Sequence, residues 1–402
     1  MSTDDVPPIE GEVAPGFEPV RDAFRANFVE RDEIGAACAA YYRGERVVDL
    51  RGGYRDLDRT DPWAADTLVL VFSTTKGIAS AAMALARSRG LFAYDDRVAD
   101  HWPAFGQEGK AGVTVRDLLG HRAGVAAIEE TLTPAAIADR ASLMDRLAAK
   151  RPDWEPGRRH GYHAWSLGWY ESELLRRTDP AGRTLGRFLA EEIADPLDLE
   201  LYVGLPDDVP ADRVAEIRGF GPLAMVGSLG EFPPRMVLAL LNPRSVTSRA
   251  LSPFAMRTPA ELNDPAYRSL EIPGGNGIAR VRDVAKLYGL LATGSDDLDV
   301  DDDTLDRLAA TPEPPAGGSR DVVLKTETSY SLGYWKPFDG FRFGSPRAFG
   351  APGAGGSFAF ADPARELGFA YAPNRMGTSL WDDPRERVLR DAVAECVERT
   401  DA

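Results

Sequence analysis

Apolar residues recur along this chain with two different periods, and the switch between them marks out its parts. Phe17, Val20, Phe24 and Phe28 return every three or four positions, which predicts an amphipathic helix over 17–28. The stretch GAACAAYYRGERVVDLRGGY follows. Its two runs of strand-forming residues, interrupted by Arg43-Gly44-Glu45, predict a hairpin. A short apolar run over 68–72 feeds directly into Ser73 and a long Ala/Leu helix ending near Gly90. From about 115 to 308 the texture is helical, broken by Pro/Gly loops, with the clearest helical spacing in 116–119, 164–176, 185–194 and 282–291. The prolines of 206–210 and of 242–275 predict surface connections or a lid. After Thr326 the strand texture returns. Segments 330–338, 349–361 and 367–373 alternate aromatic and aliphatic residues between turns, and 383–398 closes as a helix with Val388, Leu389, Ala392, Val393 and Cys396 on one face.

Strands at both ends and helices between them predict an α/β (α+β) fold: one antiparallel sheet assembled from both chain ends, flanked by helices, with a mostly helical region inserted. The divisions are 1–72 for the N-terminal part of the sheet region, 73–321 for the helical region, and 322–402 for the C-terminal part of the sheet region. Residues 1–15, acidic and Pro-rich, predict a flexible tail.

Composition narrows the function. At 402 residues the chain can bury roughly three-quarters of its unfolded surface without disulfide staples. Cys38 and Cys396 both lie in apolar segments and read as reduced core thiols. The net charge of −16 argues against nucleic acid or an anionic membrane as partner. No apolar run reaches a membrane span and no secretory leader is visible, so the expectation is a soluble, cytoplasmic protein. The acidic run 296–303 lacks the Gly and closing Glu of a calcium loop and reads as a solvated loop. His160 and His163 have no third zinc ligand in sequence, so neither metal nor cofactor is expected.

Three short stretches carry chemistry. In Ser73-Thr74-Thr75-Lys76 the serine and lysine are three positions apart at a helix start, on one face, so the amine can reach the hydroxyl. A serine needs such a base to become a nucleophile, and a lysine of depressed pKa can serve. With 19 serines and 6 lysines, chance alone yields about 0.3 such pairs, so the spacing by itself is weak. Lysine is nonetheless scarce beside 41 arginines, and it stands where arginine could not act as a base. Tyr162, in EPGRRHGYHAWSLGW, falls at a loop–helix junction among cations, where a phenol can serve as general acid or base. In FGAPGAGGS the glycines of a strand pattern imply close backbone approach, to a ligand or another strand.

In this order and spacing, these stretches resemble the serine β-lactamase-like (penicillin-recognising) family, and within it the family VIII carboxylesterases. LVFSTTKGIAS, TVRDLLGHRAGV, EPGRRHGYHAWSLGW, GIARVRDVAKLYGLL and FGAPGAGGSFAFADP carry the resemblance, which spans about 17–398. It implies a β-lactamase/transpeptidase-like fold with Ser73 acylated and Lys76 and Tyr162 moving its proton. The backbone N–H groups of Ser73 and Ala354 would form the oxyanion hole, and His163, Ala351, Gly353 and Gly355 would face the substrate. Two departures matter. The second motif reads Tyr162-His163-Ala164 where class C lactamases have Tyr-x-Asn, and Ala351 stands where lactamases carry the lysine of Lys-Thr-Gly. Without that cation a substrate carboxylate has no partner there. The resemblance therefore implies a serine hydrolase acting through an acyl-enzyme on short neutral esters. A β-lactamase, an amide hydrolase or acyltransferase, and a non-catalytic member of the fold stay open. The implied partner is a small ester, and oligomeric state is not legible. His121, in LLGHRAG, is expected to brace a loop near the site.

Overall fold

The structure is a computed structural model that describes residues 7–220, 232–256 and 258–401. Its centre is an eight-stranded antiparallel sheet in the order β1-β3-β2-β11-β10-β9-β8-β7. The strands are β1 (Ile9–Val13), β2 (Gly35–Tyr42), β3 (Glu45–Gly53), β7 (Tyr330–Ser331), β8 (Tyr334–Trp335), β9 (Phe349–Pro352), β10 (Phe358–Asp362) and β11 (Leu367–Pro373). The two chain ends meet where β2 pairs with β11, Cys38 opposite Tyr371 and Ala40 opposite Phe369. A second, three-stranded sheet joins β4 (Val69–Leu70), β6 (Ile278–Ala279) and β5 (Leu201–Tyr202), with β6 in the middle.

Alternation along β2 sends Ala36, Cys38 and Ala40 to one face of the large sheet and Ala37, Ala39 and Tyr41 to the other. On the first face lie α1 (Glu18–Glu30) and the C-terminal helix α5 (Pro384–Thr400), burying Phe24, Phe28, Leu389, Val393 and Cys396. Against the other lies α4 (Val281–Thr293), packed on β2, β10 and β11. Small residues set that distance: a Cβ on Gly368 would stand 2.2 Å from the Gly289 backbone nitrogen. Beyond α4 come α2 (Thr75–Ser88), buried along most of its length, and α3 (Ser166–Thr178) beside it. The sheet layer thus includes a helix from well before residue 322. Both cysteines are free and buried. Among the described residues no helix is long and apolar enough to cross a membrane.

Two local expectations, at 9–13 and 296–303, are corrected. Residues 9–13 of the expected flexible tail form β1, an edge strand paired with β3 from Ile9–Gly52 to Val13–Val48, because the free edge of β3 offers that segment hydrogen-bond partners. Within 242–275, Pro259 and Pro265 occupy first-turn positions of short helical turns, where the missing N–H costs nothing. Arg257 in that span lies outside the described residues. The run 296–303 is only partly loop. Asp301 caps a helix over Asp302–Ala309 and, with Asp303, pairs with Arg87.

Candidate active site

β4 delivers the chain into a tight turn, Phe72–Thr74, that starts α2. Phe72 adopts φ +46°, a left-handed conformation that costs energy for a bulky residue and persists only where neighbours hold it. The clamp is visible. Val71 N–H donates to Gly277 O (2.9 Å), Gly277 N–H donates to Thr75 Oγ1 (2.8 Å), and the Thr75 hydroxyl donates to Phe72 O. Ser73 is thereby fixed at the helix start.

Lys76 is buried one turn on, its Nζ 3.0 Å from Ser73 Oγ. Nζ also donates to Ala164 O and Gly274 O. A neutral amine has two N–H groups and one lone pair. With both N–H groups taken by those carbonyls, the lone pair is left for the Ser73 hydroxyl. Burial drives the Lys76 pKa down to about 7, while the carboxyl of Glu171, on α3, partly opposes it. Glu171 is itself wholly buried and pushed up to about 8. Both its oxygens, together with Ser80 Oγ and Tyr288 Oη, lack a hydrogen-bond partner among the described residues.

Tyr162 completes the group. Its ring centroid is 4.9 Å from Lys76 Nζ. Burial pushes its phenol up to about 12, against the Ser73 hydroxyl and the Trp335 indole, which favour the anion. The loop bearing it is anchored by Asp321, whose buried carboxylate accepts from Tyr162 N–H (2.9 Å), Tyr330 Oη–H (2.8 Å) and the N–H groups of Val323 and Leu324 (2.6 Å each). His121 packs at a tilt 5.2 Å from the Tyr162 ring and accepts the His163 N–H at Nδ1 (3.0 Å), which ties it to this loop.

The glycine-rich strand supplies the opposite wall. A Cβ on Gly353 would stand 2.2 Å from Ser357 Oγ and 2.5 Å from Val71 O, so the end of β9 lies directly against the turn that carries Ser73. The Ser357 hydroxyl stitches the two by donating to Val71 O (2.8 Å). Ala354, the next residue, is exposed, and no carbonyl among the described residues takes its N–H. Ala351 is buried and faces α2 at Gly77. Gly355, at φ +87°, makes the turn, and its carbonyl accepts from Arg385 Nη2 (2.7 Å).

His163 does not join this group as a substrate contact. It is fully buried, Val125 N–H donates to its Nε2 (3.1 Å), and its Nδ1–H donates to Gly161 O (2.7 Å). Both nitrogens are spent on backbone, and burial holds the ring neutral, near pKa 3. Four contributors escaped the sequence reading: Glu171, Asp321, Trp335 and Arg385. Only Glu171 left a signal, an acid on the apolar stripe of Leu167, Leu174 and Leu175. Among the described residues no cluster of His, Cys, Asp and Glu could hold a metal ion.

A sheet built from both chain ends, the end of its strand β9 set against the serine-bearing turn at the start of α2, defines the β-lactamase-fold serine hydrolases, and this chain is one. The Beta-lactamase family model matches residues 20–394, and the chain belongs to that family. It is 31% identical over 394 residues to the esterase/beta-lactamase LipL of Mycobacterium tuberculosis, covering 92% of this chain and 84% of that protein. A family VIII carboxylesterase structure is 35% identical and superposes with a TM-score of 0.85 over 97% of this chain and 100% of that one. EstA from Arthrobacter nitroguajacolicus is 30% identical, with a TM-score of 0.82 over 97% and 99% of the two chains.

Proposed function

We propose that the protein is a carboxylesterase that hydrolyses short neutral esters through an acyl-enzyme on Ser73. The observation that carries this is the buried Lys76 amine 3.0 Å from Ser73 Oγ, held with a pKa about 7. Ser73 Oγ attacks the ester carbonyl as its proton passes to the Lys76 lone pair. The N–H groups of Ser73 and Ala354 receive the oxyanion. The C–O bond to the leaving alkoxide breaks as Tyr162 gives it a proton, and the Lys76 ammonium restores the Tyr162 proton. Water then replaces the alcohol, and the same groups return Ser73 to its starting state.

Substrate class rests on position 351. A buried methyl there offers nothing to a carboxylate that loses its hydration on entry, and the charge of −16 repels anions at long range. Neutral esters meet neither cost. The buried free thiols of Cys38 and Cys396 fit a reducing compartment, and the same reading puts the enzyme in the cytoplasm. In a direct comparison, kcat/KM for p-nitrophenyl butyrate should lie well above that for nitrocefin, an anionic lactam. Faster turnover of nitrocefin would overturn the ester assignment.

A further inference from the structure

In a relay through Tyr162 the phenol becomes an anion as its proton leaves, and something must stabilise that charge in a buried site. The third-motif cation is missing, because Ala351 stands in its place. Besides Lys76, two groups beside the phenol have an N–H without a partner among the described residues: His121 at Nε2 and, the one that favours the phenolate, Trp335 on β8. Its indole meets the Tyr162 ring edge-on, centroids 5.5 Å apart at 69°. Trp335 is 3% exposed, and its Nε1–H has no hydrogen-bond partner among the described residues. A buried donor left without a partner is uncommon in a native structure and calls for an explanation.

We propose that Trp335 is a positioning residue for Tyr162, its indole N–H donating to the Tyr162 oxygen as that oxygen becomes anionic. The inference rests on the relay through Ser73, Lys76 and Tyr162. When the Oη–H bond breaks and the proton joins the leaving alkoxide, the electron pair stays on Oη and accepts from Trp335 Nε1–H. When the Lys76 ammonium returns a proton to Oη, that bond lapses. A donor that is unpaired in the ground state and paired in the transition state lowers the barrier without tightening substrate binding. The ring is preorganised for this. Tyr330 (5.1 Å), Trp381 (5.3 Å) and Phe341 (6.3 Å) surround it, and β8 pairs Trp335 with Tyr330 across β7 and with Gly350 across β9.

The test is a double-mutant cycle on an alkyl ester such as ethyl butyrate, whose alkoxide needs its proton. Trp335→Phe should lower kcat by roughly 10–100-fold, the worth of one preorganised donor, with KM little changed. In a Tyr162→Phe background the same substitution should have almost no further effect, because the oxygen it serves is gone. Benzothienylalanine at 335 keeps the ring shape and removes only the N–H, so it answers for any loss of folding in the phenylalanine variant. It should lose activity as Trp335→Phe does. Wild-type kcat with benzothienylalanine, or an equal loss in both backgrounds, overturns the inference. If Tyr162→Phe itself leaves kcat intact, the relay reading fails instead.

Discussion

In the proposed relay Lys76 can take the Ser73 proton only after its ammonium has given one up, and burial brings that event to about pH 7. kcat/KM should therefore fall as pH drops through 7. Lys76→Ala and Tyr162→Phe should each lower kcat by ~10²–10⁴. At this scale Ser73, Lys76 and Tyr162 were legible in sequence because spacing on one helix face and a loop–helix junction are local facts. Lysine scarcity was a poorer guide, since Lys110, Lys150 and Lys336 are buried too. Glu171, Asp321 and Trp335 act across elements, and no local pattern announces a contact between a helix and a distant strand. His163 looked like a substrate contact because it adjoins Tyr162, yet its ring turns into the backbone of the preceding loop.

The Ser73 turn and the end of β9 touch through backbone, and this makes glycine necessary at 353. Gly353→Ala would place a methyl carbon inside contact distance of Ser357 Oγ and Val71 O. The carbonyl cannot retreat without disturbing the turn that holds Phe72 at φ +46°. We expect a loss of ~1–3 kcal/mol in stability from this overpacking. kcat should fall more than KM rises, because the nucleophile and the Ala354 N–H separate. Denaturant unfolding together with steady-state kinetics reads both effects, and an unchanged kcat would show that the two segments are not held in register by this contact. The glycine pattern itself announced a close approach; which partner it approached was decided by topology. The helices α1, α2, α4 and α5 followed from apolar spacing. The edge strand β1 did not, because five residues alternating Ile, Glu, Gly, Glu and Val signal a strand only once β3 is beside them.

Across the whole molecule, the two ends of the chain are locked together by ions buried beneath the site. Arg385, at the start of α5, pairs with Asp383 (2.9 Å) and with Glu33 (3.2 Å), the latter just before β2, and Tyr371 on β11 donates to Glu33. Arg385 also donates to Arg375 O (2.8 Å) and to Gly355 O in the turn beside Ala354. Replacing it with methionine strands two buried carboxylates, and should cost ~3–5 kcal/mol. A loss below about 1 kcal/mol in urea unfolding would mean the network is not closed in solution. That assembly of both chain ends was readable from strand texture at the two termini, whereas the ion network is a tertiary fact with no sequence period. All of this architecture converges on one atom, Ser73 Oγ, where the proposed acyl-enzyme would form. The most direct measurement is peptide mass spectrometry after reaction with a p-nitrophenyl phosphonate. The adduct should map to Ser73 and vanish in Ser73→Ala while the thermal midpoint stays close to wild type; labelling at Ser357, or none in an active enzyme, would contradict the account.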